Sequence, residues 1–540
     1  MGETSEAWRL SRRALLTGAG ALALGACTGG STQPSPVAST RTSPATPSTS
    51  TQSVPDPSAT TGSTSGGPGW VRAENRHPGT TAWRIDKAHL ASETELAGYT
   101  DTDSVLSGEP FGLHLSSELG AVTVRAYRLG HYGGSGAREV WVSGKVAVTR
   151  QPGPRTDALH TVRCDWPESL RIRTTGWPEG SYLLRLQAGA RARYVPMVVR
   201  SRTTAGRLVL VSAVATHQAY NQWGGYSLYK GPDKQAGRAS AVSFERPYDR
   251  NGAPLVLAYE QGPILMAESL DAPDLDLAYV TSWDLHREPD LLAGARGVVS
   301  PGHDEYWTVP MRRHVEAARD AGTNLAFLGA NAVYWRARFS GDGRLLTCYK
   351  SRTGDPVHGD ETTVQWRQAP RPDPENSLTG MLYEAFPAEA DLVVHDPGFF
   401  LLAGTGARRG DRYAGLVGTE IDRAYPLPGT PANVQVVAHS PVPQFQRSDT
   451  HSDMTYYSTT GGAGVFSVGS MAWTAGLRGA RARKRIDERA ATFAQTLTRN
   501  LFRAMAEGPM GRTHAAHGNL SSIGASPSTR SGTGGPVSPG

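Results

Sequence analysis

The sequence predicts an α/β protein in which a mainly parallel sheet domain follows a β-sandwich domain. Three observations point there. Residues 70–202 break into short strand-length runs separated by turn residues, with no helical period longer than two turns between 120 and 202. From residue 206 onward the runs become continuously apolar, as strands covered on both faces require. Segments 297–300, 310–321 and 324–328 read as strand, helix and strand in succession, the pattern of a βαβ unit.

The chain begins with an address rather than a fold. Ser11-Arg12-Arg13-Ala14-Leu15-Leu16 is a twin-arginine pattern. The mildly apolar run 14–26 is too short to span a bilayer. It closes on Leu24-Gly25-Ala26-Cys27, which resembles a bacterial lipobox, so residues 1–27 are expected to be a twin-arginine lipoprotein signal with Cys27 lipidated. An ordinary secretory signal with an incidental cysteine is the plainer alternative; the position of Cys27 at the end of the small-residue cleavage box favours lipid. Export of an already folded protein suits a domain that takes up a metal or cofactor first. Residues 28–68 are Ser, Thr, Pro and Gly with little else, one Arg, one Asp and no aromatic residue. Such a stretch cannot offset its ordering entropy by burial, so a disordered linker is expected.

Strands are expected at 122–127, 139–149, 181–186 and 193–199, separated by Gly133-Gly134, Pro152-Gly153-Pro154 and Trp177-Pro178-Glu179-Gly180. This spacing suggests an Ig-like β-sandwich over 69–203. The α/β domain, 204–507, is expected to hold strands at 208–214, 254–259, 277–281, 297–300 and 324–328, then 434–438, 455–458 and 465–468. Pro310 in the first turn and Gly322 past the end fit a helix over 310–321. A last helix is expected over 485–506, followed by a disordered tail, 508–540.

With 540 residues, 38% hydrophobic and 19% charged, the chain can bury a sizeable core. Its formal net charge of +6 is small for this length. The densest basic run, 478–489, leads into the last helix and reads as a solvated helix start, so nucleic-acid binding is not expected. Besides Cys27 there are only Cys164 and Cys348, expected as buried free thiols, and no CxxC to make a thiolate zinc site. There is no G-x-S-x-G, no H-E-x-x-H and no cysteine at a strand-to-helix elbow. Water activated by a metal or a carboxylate is the nucleophile that remains.

Ligands of open parallel sheets bind outside the carboxyl ends of the strands. Five clusters sit at such ends. His217, Asn221 and Trp223 follow the first strand as candidate pocket residues. Trp283-Asp284-Leu285-His286-Arg287-Glu288 reads equally as a site or as a helix start capped by Asp284. His303-Asp304-Glu305-Tyr306-Trp307 concentrates ionisable groups, and Asn331 with Tyr334 ends the next strand. Tyr306 and Tyr334 are expected to face each other across one shared site. Glu420 ends a short apolar run; a salt bridge to Arg423 is its plainer reading.

The residues His303 to Trp307, Leu328-Gly329-Ala330-Asn331-Ala332-Val333-Tyr334-Trp335-Arg336 and Gly418-Thr419-Glu420-Ile421-Asp422-Arg423 resemble the large (beta) subunit of N,N-dimethylformamidase, in its C-terminal domain. Tyr220-Asn221-Gln222-Trp223-Gly224-Gly225 and Tyr127-Arg128-Leu129-Gly130-His131-Tyr132-Gly133-Gly134 carry the same likeness. The resemblance implies a glutamine-amidotransferase-like α/β domain and amide hydrolysis at a ferric ion (Fe3+) held by two tyrosines and a glutamate. Carried over, these are Tyr306, Tyr334 and Glu420, with Tyr279 as a rival to Tyr306. The family pattern places a histidine near the glutamate, where this chain has Gly418 and Thr419. Phenolates and a carboxylate are hard donors suited to a trivalent ion. Glu305 or His303 is then the expected proton acceptor. The expected function is an exported, lipid-anchored metal-dependent hydrolase of C–N amide-type bonds. The alternative is a non-catalytic surface protein that binds wall glycan or a small ligand. Its partners are expected to be the membrane, through the lipid, and a small-molecule amide or wall component. A small partner subunit or a homo-oligomer is compatible with the resemblance.

Overall fold

The computed structural model describes residues 66–270, 275–443 and 449–524. Cys27 with the rest of the signal, nearly all of the 28–68 linker, and residues 525–540 lie outside them. Period-two alternation drives the N-terminal part. Leu96–Thr100, Pro110–Ser117 and Leu170–Arg173 form a three-stranded antiparallel sheet. A five-stranded sheet holds, in order, Ser104–Leu106, Arg191–Arg200, Gly180–Ala188, Val122–Leu129 and Ala137–Val146. Phe111, Leu113 and Leu115 of the first and Val124, Leu184, Leu186 and Val199 of the second share one core.

The apolar runs that follow are buried strands of a mixed seven-stranded sheet. Its order is Leu277–Thr281, Leu208–Ser212, Gly297–Ser300, Asn324–Phe327, Gly464–Ser467, His451–Ser458, Gln435–Pro441. The first five strands run parallel and the last two antiparallel. Alternate side chains supply two cores. Leu208, Leu210 and Phe466 pack with Leu497, Leu501 and Phe502 of the helix Glu488–Glu507. Val209, Val211 and Phe327 pack on the other face with Met311 and Val315 of the helix Val309–Asp320. A long two-stranded hairpin, Leu382–Val393 with Arg412–Arg423, stands beside the sheet and was not foreseen from the sequence. Among the described residues no helix is long and apolar enough to cross a membrane.

Some expectations need correction. Residues 254–259 are not a strand: a π-helical turn, Val256–Glu260, runs straight into the helix Gln261–Glu268. A short apolar run cannot by itself distinguish a strand from a buried helix. The first strand stops at Ser212, and the helix Val214–Tyr220 takes over the rest of the expected 208–214 run. The expected tail does not begin at 508. Met510 is buried, His514 stacks on Phe400 at 4.0 Å, and the Asn519 side chain bridges the Val436 backbone. Cys164 and Cys348 are buried free thiols, as expected.

A buried polar seam ties the sandwich to the larger sheet. Arg128 pairs with Glu268, and the Tyr279 hydroxyl also donates to Glu268. Tyr279 is thereby committed to this seam.

Candidate functional site

The strands Gly297–Ser300 and Asn324–Phe327 lie side by side, so the loops leaving them are neighbours. They touch through backbone. A Cβ on Gly329 would lie 1.5 Å from the Gly302 carbonyl oxygen, which only glycine at 329 permits. Just beyond, Tyr306–Trp307 pairs in parallel with Trp335–Arg336, with Tyr306 in register with Trp335.

Between these contacts the second loop is strained. Asn331 and Val333 have φ of 58° and 56°, left-handed values that a β-branched residue such as valine rarely adopts. The turn is held by Asn331 N donating to Asp422 Oδ1 (2.8 Å), Val333 N to Asp304 O (3.0 Å) and Tyr334 N to Glu305 O (3.0 Å). Thr419, immediately before Glu420, is also left-handed at φ 52°. Such positions cost about 1–3 kcal/mol each and gather at functional sites.

The two strained turns meet at one amide. Asn331 Nδ2 donates to Glu420 Oε2 at 2.7 Å and to Glu305 Oε1 at 3.3 Å. Both glutamates are 1% exposed. Glu305 accepts further bonds from the Tyr220 hydroxyl at Oε2 (2.6 Å) and from the Tyr229 hydroxyl at Oε1. Trp335 Nε1 donates to the Tyr229 hydroxyl at 3.1 Å and fixes it. His303 Nε2 lies 3.6 Å from Glu305 Oε2. Burial pushes the Glu305 pKa up, while Lys350 and the phenol bonds act against that rise. Lys350 Nζ sits 3.2 Å from the centre of the Tyr229 ring. Asp304 and Asp422 flank the site, each raised to about 7 by burial.

Tyr306 and Tyr334 belong to one buried cluster. In a parallel ladder, residues in register share a face and successive residues alternate. Tyr306 is in register with Trp335, and Tyr334 lies just before that two-residue strand. The Tyr306 ring packs edge-on against Tyr220 and Tyr229, and Tyr229, Glu305 and Cys348 act on its hydroxyl. The Tyr334 ring packs against Tyr383 at 5.3 Å under the Arg367 guanidinium, and both Glu305 and Glu420 act on it. Burial raises both phenols. Neither hydroxyl, nor Asn331 Oδ1, has a hydrogen-bond partner of good geometry among the described residues.

Gly418 explains the missing histidine in spatial terms. A Cβ there would lie 2.6 Å from the Ala388 carbonyl oxygen and 2.7 Å from both terminal nitrogens of Arg483, so fixed backbone closes the space a side chain would use. Arg423 does not pair with Glu420; it donates to the Asp449 carbonyl and lies over the Tyr425 ring.

The structure keeps other candidates apart from this centre. His217 lies at its edge, with Nε2 3.0 Å from buried Glu260 of the π-helical turn, and both act on Asp304. The Asn221 side chain is committed to loop structure: Nδ2 donates to Gln218 and the Pro247 carbonyl, and Oδ1 accepts from Trp223 N and Asp249 N. Trp223 packs edge-on against Trp166 of the sandwich side. Thr281, not Asp284, is the N-cap of the helix Ser282–Arg287; Asp284 closes a capping box by accepting from Thr281 N, and His286 stacks on Trp283.

Sequence reading missed Tyr220, Tyr229, Lys350 and Tyr383. They come from distant segments, and only the position of Tyr220 after the first strand marked it. Among the described residues no group of three or more His, Cys, Asp or Glu is arranged to hold a metal. Tyrosine ligands fall outside that set.

No curated protein matches the sequence. Residues 123–488 match the family described as N,N-dimethylformamidase beta subunit-like, C-terminal. That span contains both strained turns, both glutamates and all the tyrosines around them. It is well over half of the 540 residues, and the chain belongs to the N,N-dimethylformamidase beta subunit-like family.

Proposed function

We propose that the protein is an exported, lipid-anchored hydrolase of carbon–nitrogen amide-type bonds that depends on a ferric ion. The observation that carries this reading is the junction of Glu305, Asn331 and Glu420, built by two strained turns and lined by buried phenols. The donor set is all oxygen, and the Tyr334 hydroxyl is buried beside Glu420 without a protein partner of good geometry, which suits a hard trivalent ion. Glu420 and Tyr334 would hold it. Tyr306 fits less well, because its hydroxyl lies among Tyr229, Glu305 and Cys348. When bound, such an ion polarises a carbonyl and acidifies a water.

The protein's own groups divide the remaining work. Asn331 Nδ2 is committed to the two carboxylates, so Oδ1 is the acceptor available to an amide N–H. Glu305 is the proton acceptor. Burial makes it more basic than an exposed glutamate, and two phenols and Asn331 hold its orientation. His303 at 3.6 Å relays or shares that proton.

We also read the larger sheet as glutamine-amidotransferase-like and the sandwich as Ig-like, with the boundary at 203/204; a core confined to the sandwich and five parallel strands in the larger sheet support this. Export and anchoring rest on the twin-arginine pattern and Cys27. A non-catalytic binding protein for wall glycan or a small ligand is the second reading, favoured by the Ala388 carbonyl oxygen closing the space a side chain would need at Gly418. A panel of small amides, dimethylformamide included, separates the two. Amine release that is lost in Glu305→Gln supports the hydrolase. Saturable binding of an amide with no release contradicts it.

A further inference from the structure

The basic run 478–489 holds Arg478, Arg481, Arg483, Lys484, Arg485 and Arg489 against Asp487 and Glu488. It is not a helix start. The helix begins at Glu488 behind its N-cap Asp487, so most of the run connects it to the short helix Trp473–Leu477. This connection lies along the hairpin strand Arg412–Arg423. A Cβ on Gly415 would meet the Arg485 Cβ at 2.7 Å, and one on Gly418 would meet the Arg483 guanidinium at 2.7 Å. Two of the arginines are paired on the hairpin, Arg485 with Asp391 and Arg489 with Asp411. Arg478 and Arg483 reach the side of the tyrosine–carboxylate centre instead.

Tyr259 marks where they reach it. Its ring centroid lies 5.8 Å from that of His303, and its hydroxyl donates to Met471 Sδ at 3.7 Å. Met471 N in turn donates to the Glu420 carbonyl at 3.3 Å. Arg478 Nη1 donates to the carbonyl of Leu257, two residues before Tyr259, at 3.1 Å. Burial raises the Tyr259 phenol to about 12 and Glu420 adds to the rise, whereas Arg483, Arg250 and Arg478 act against it. Arg250 lies 3.7 Å from Asp249, but among the described residues no carboxylate acts on Arg478.

The two ends of this region differ in chemistry. Tyr220 and Tyr259 flank the His303 ring and are half-buried, whereas His303, Glu305 and Glu420 are buried, so the side beside Tyr259 faces outward. The inner end offers carboxylates and the acceptor Asn331 Oδ1, which suit an amide N–H and repel an anion. The outer edge offers guanidinium groups, whose planar forks match a carboxylate. Gly418 and Glu420 are two residues apart, so their Cα atoms are separated by at most about 7 Å. One small molecule can therefore reach both ends.

We propose that the substrate is an amide carrying a carboxylate a few bonds from the scissile carbon–nitrogen bond, of the N-acylamino-acid class, and that Arg478 and Arg483 select it; this rests on the amide-hydrolase reading. The test is calorimetric titration of N-acetylglycine, N-methylacetamide and acetate into the whole protein and its Arg478→Gln, Arg483→Gln and doubly substituted variants. N-acetylglycine is expected to bind about tenfold or more tightly than either of the others, with its margin over N-methylacetamide reduced severalfold in each variant. Circular dichroism checks folding, and Arg478→Gln alone carries the test where Arg483→Gln unfolds. Glycine release is assayed in the same samples: the expected preference without release keeps the ligand class and removes the hydrolase reading. Equal affinity for the two amides, acetate binding as tightly as N-acetylglycine, no binding of either amide, or a margin unchanged in Arg478→Gln overturns the proposal.

Discussion

Asn331 joins the two carboxylates of the site through a single amide nitrogen, and it does so from a left-handed backbone that asparagine tolerates better than most residues. Asn331→Ala would leave two buried glutamates without their shared donor. We expect a loss of about 2–3 kcal/mol in denaturant-induced unfolding, together with loss of activity. Thr419 has the opposite balance. Its φ of 52° is costly for a β-branched residue, so Thr419→Gly is expected to gain about 1 kcal/mol in the same measurement while loosening Glu420. His286 gives a pH signature. Burial, with His314 nearby, depresses its pKa to about 4 from an unfolded value of 6.5. The folded state favours the neutral ring. This contribution is therefore complete above pH 6.5 and is lost as pH falls from there through about 4. Melting temperature followed against pH should decline over that window, and His286→Phe should flatten the decline.

At the scale of elements, the site depends on two loops that meet backbone to backbone. Gly329→Ala would drive a methyl group into the Gly302 carbonyl at 1.5 Å, so the loops must part. Loss of soluble folded protein, or of activity where protein survives, is the expected outcome by expression and circular dichroism. The parallel strands were legible in the sequence because burial on both faces writes itself as continuous Val, Leu and Ala. The same signal misled at 254–259, where an equally apolar run forms a π-helical turn entering the helix that contains Pro263. That turn also places Glu260 where it accepts from Ser212 Oγ and Ala213 N, a role no local pattern announces. The site was half legible. Glu305, Asn331 and Tyr334 follow strands and stand out, and Glu420 stands out at the end of an apolar run although it lies inside the strand Arg412–Arg423, whereas Tyr229 and Tyr383 arrive from a loop and a hairpin whose apposition is a property of the tertiary fold.

At the scale of the molecule, the sandwich and the large sheet share a fully buried ion pair, Arg128 with Glu268, that holds one layer against the other. Removing either partner alone strands a buried charge, so the seam carries a structural penalty remote from the chemistry. At the site itself, we propose that an all-oxygen centre at Glu420 and Tyr334 holds a ferric ion for amide hydrolysis. Elemental analysis of the purified whole protein, read together with its visible spectrum, tests this most directly. The expected result is stoichiometric iron with a phenolate-to-iron absorption band, both lost in Tyr334→Phe and in Glu420→Gln. Folded protein that hydrolyses amides without iron, or iron and its colour retained in both variants, would contradict it.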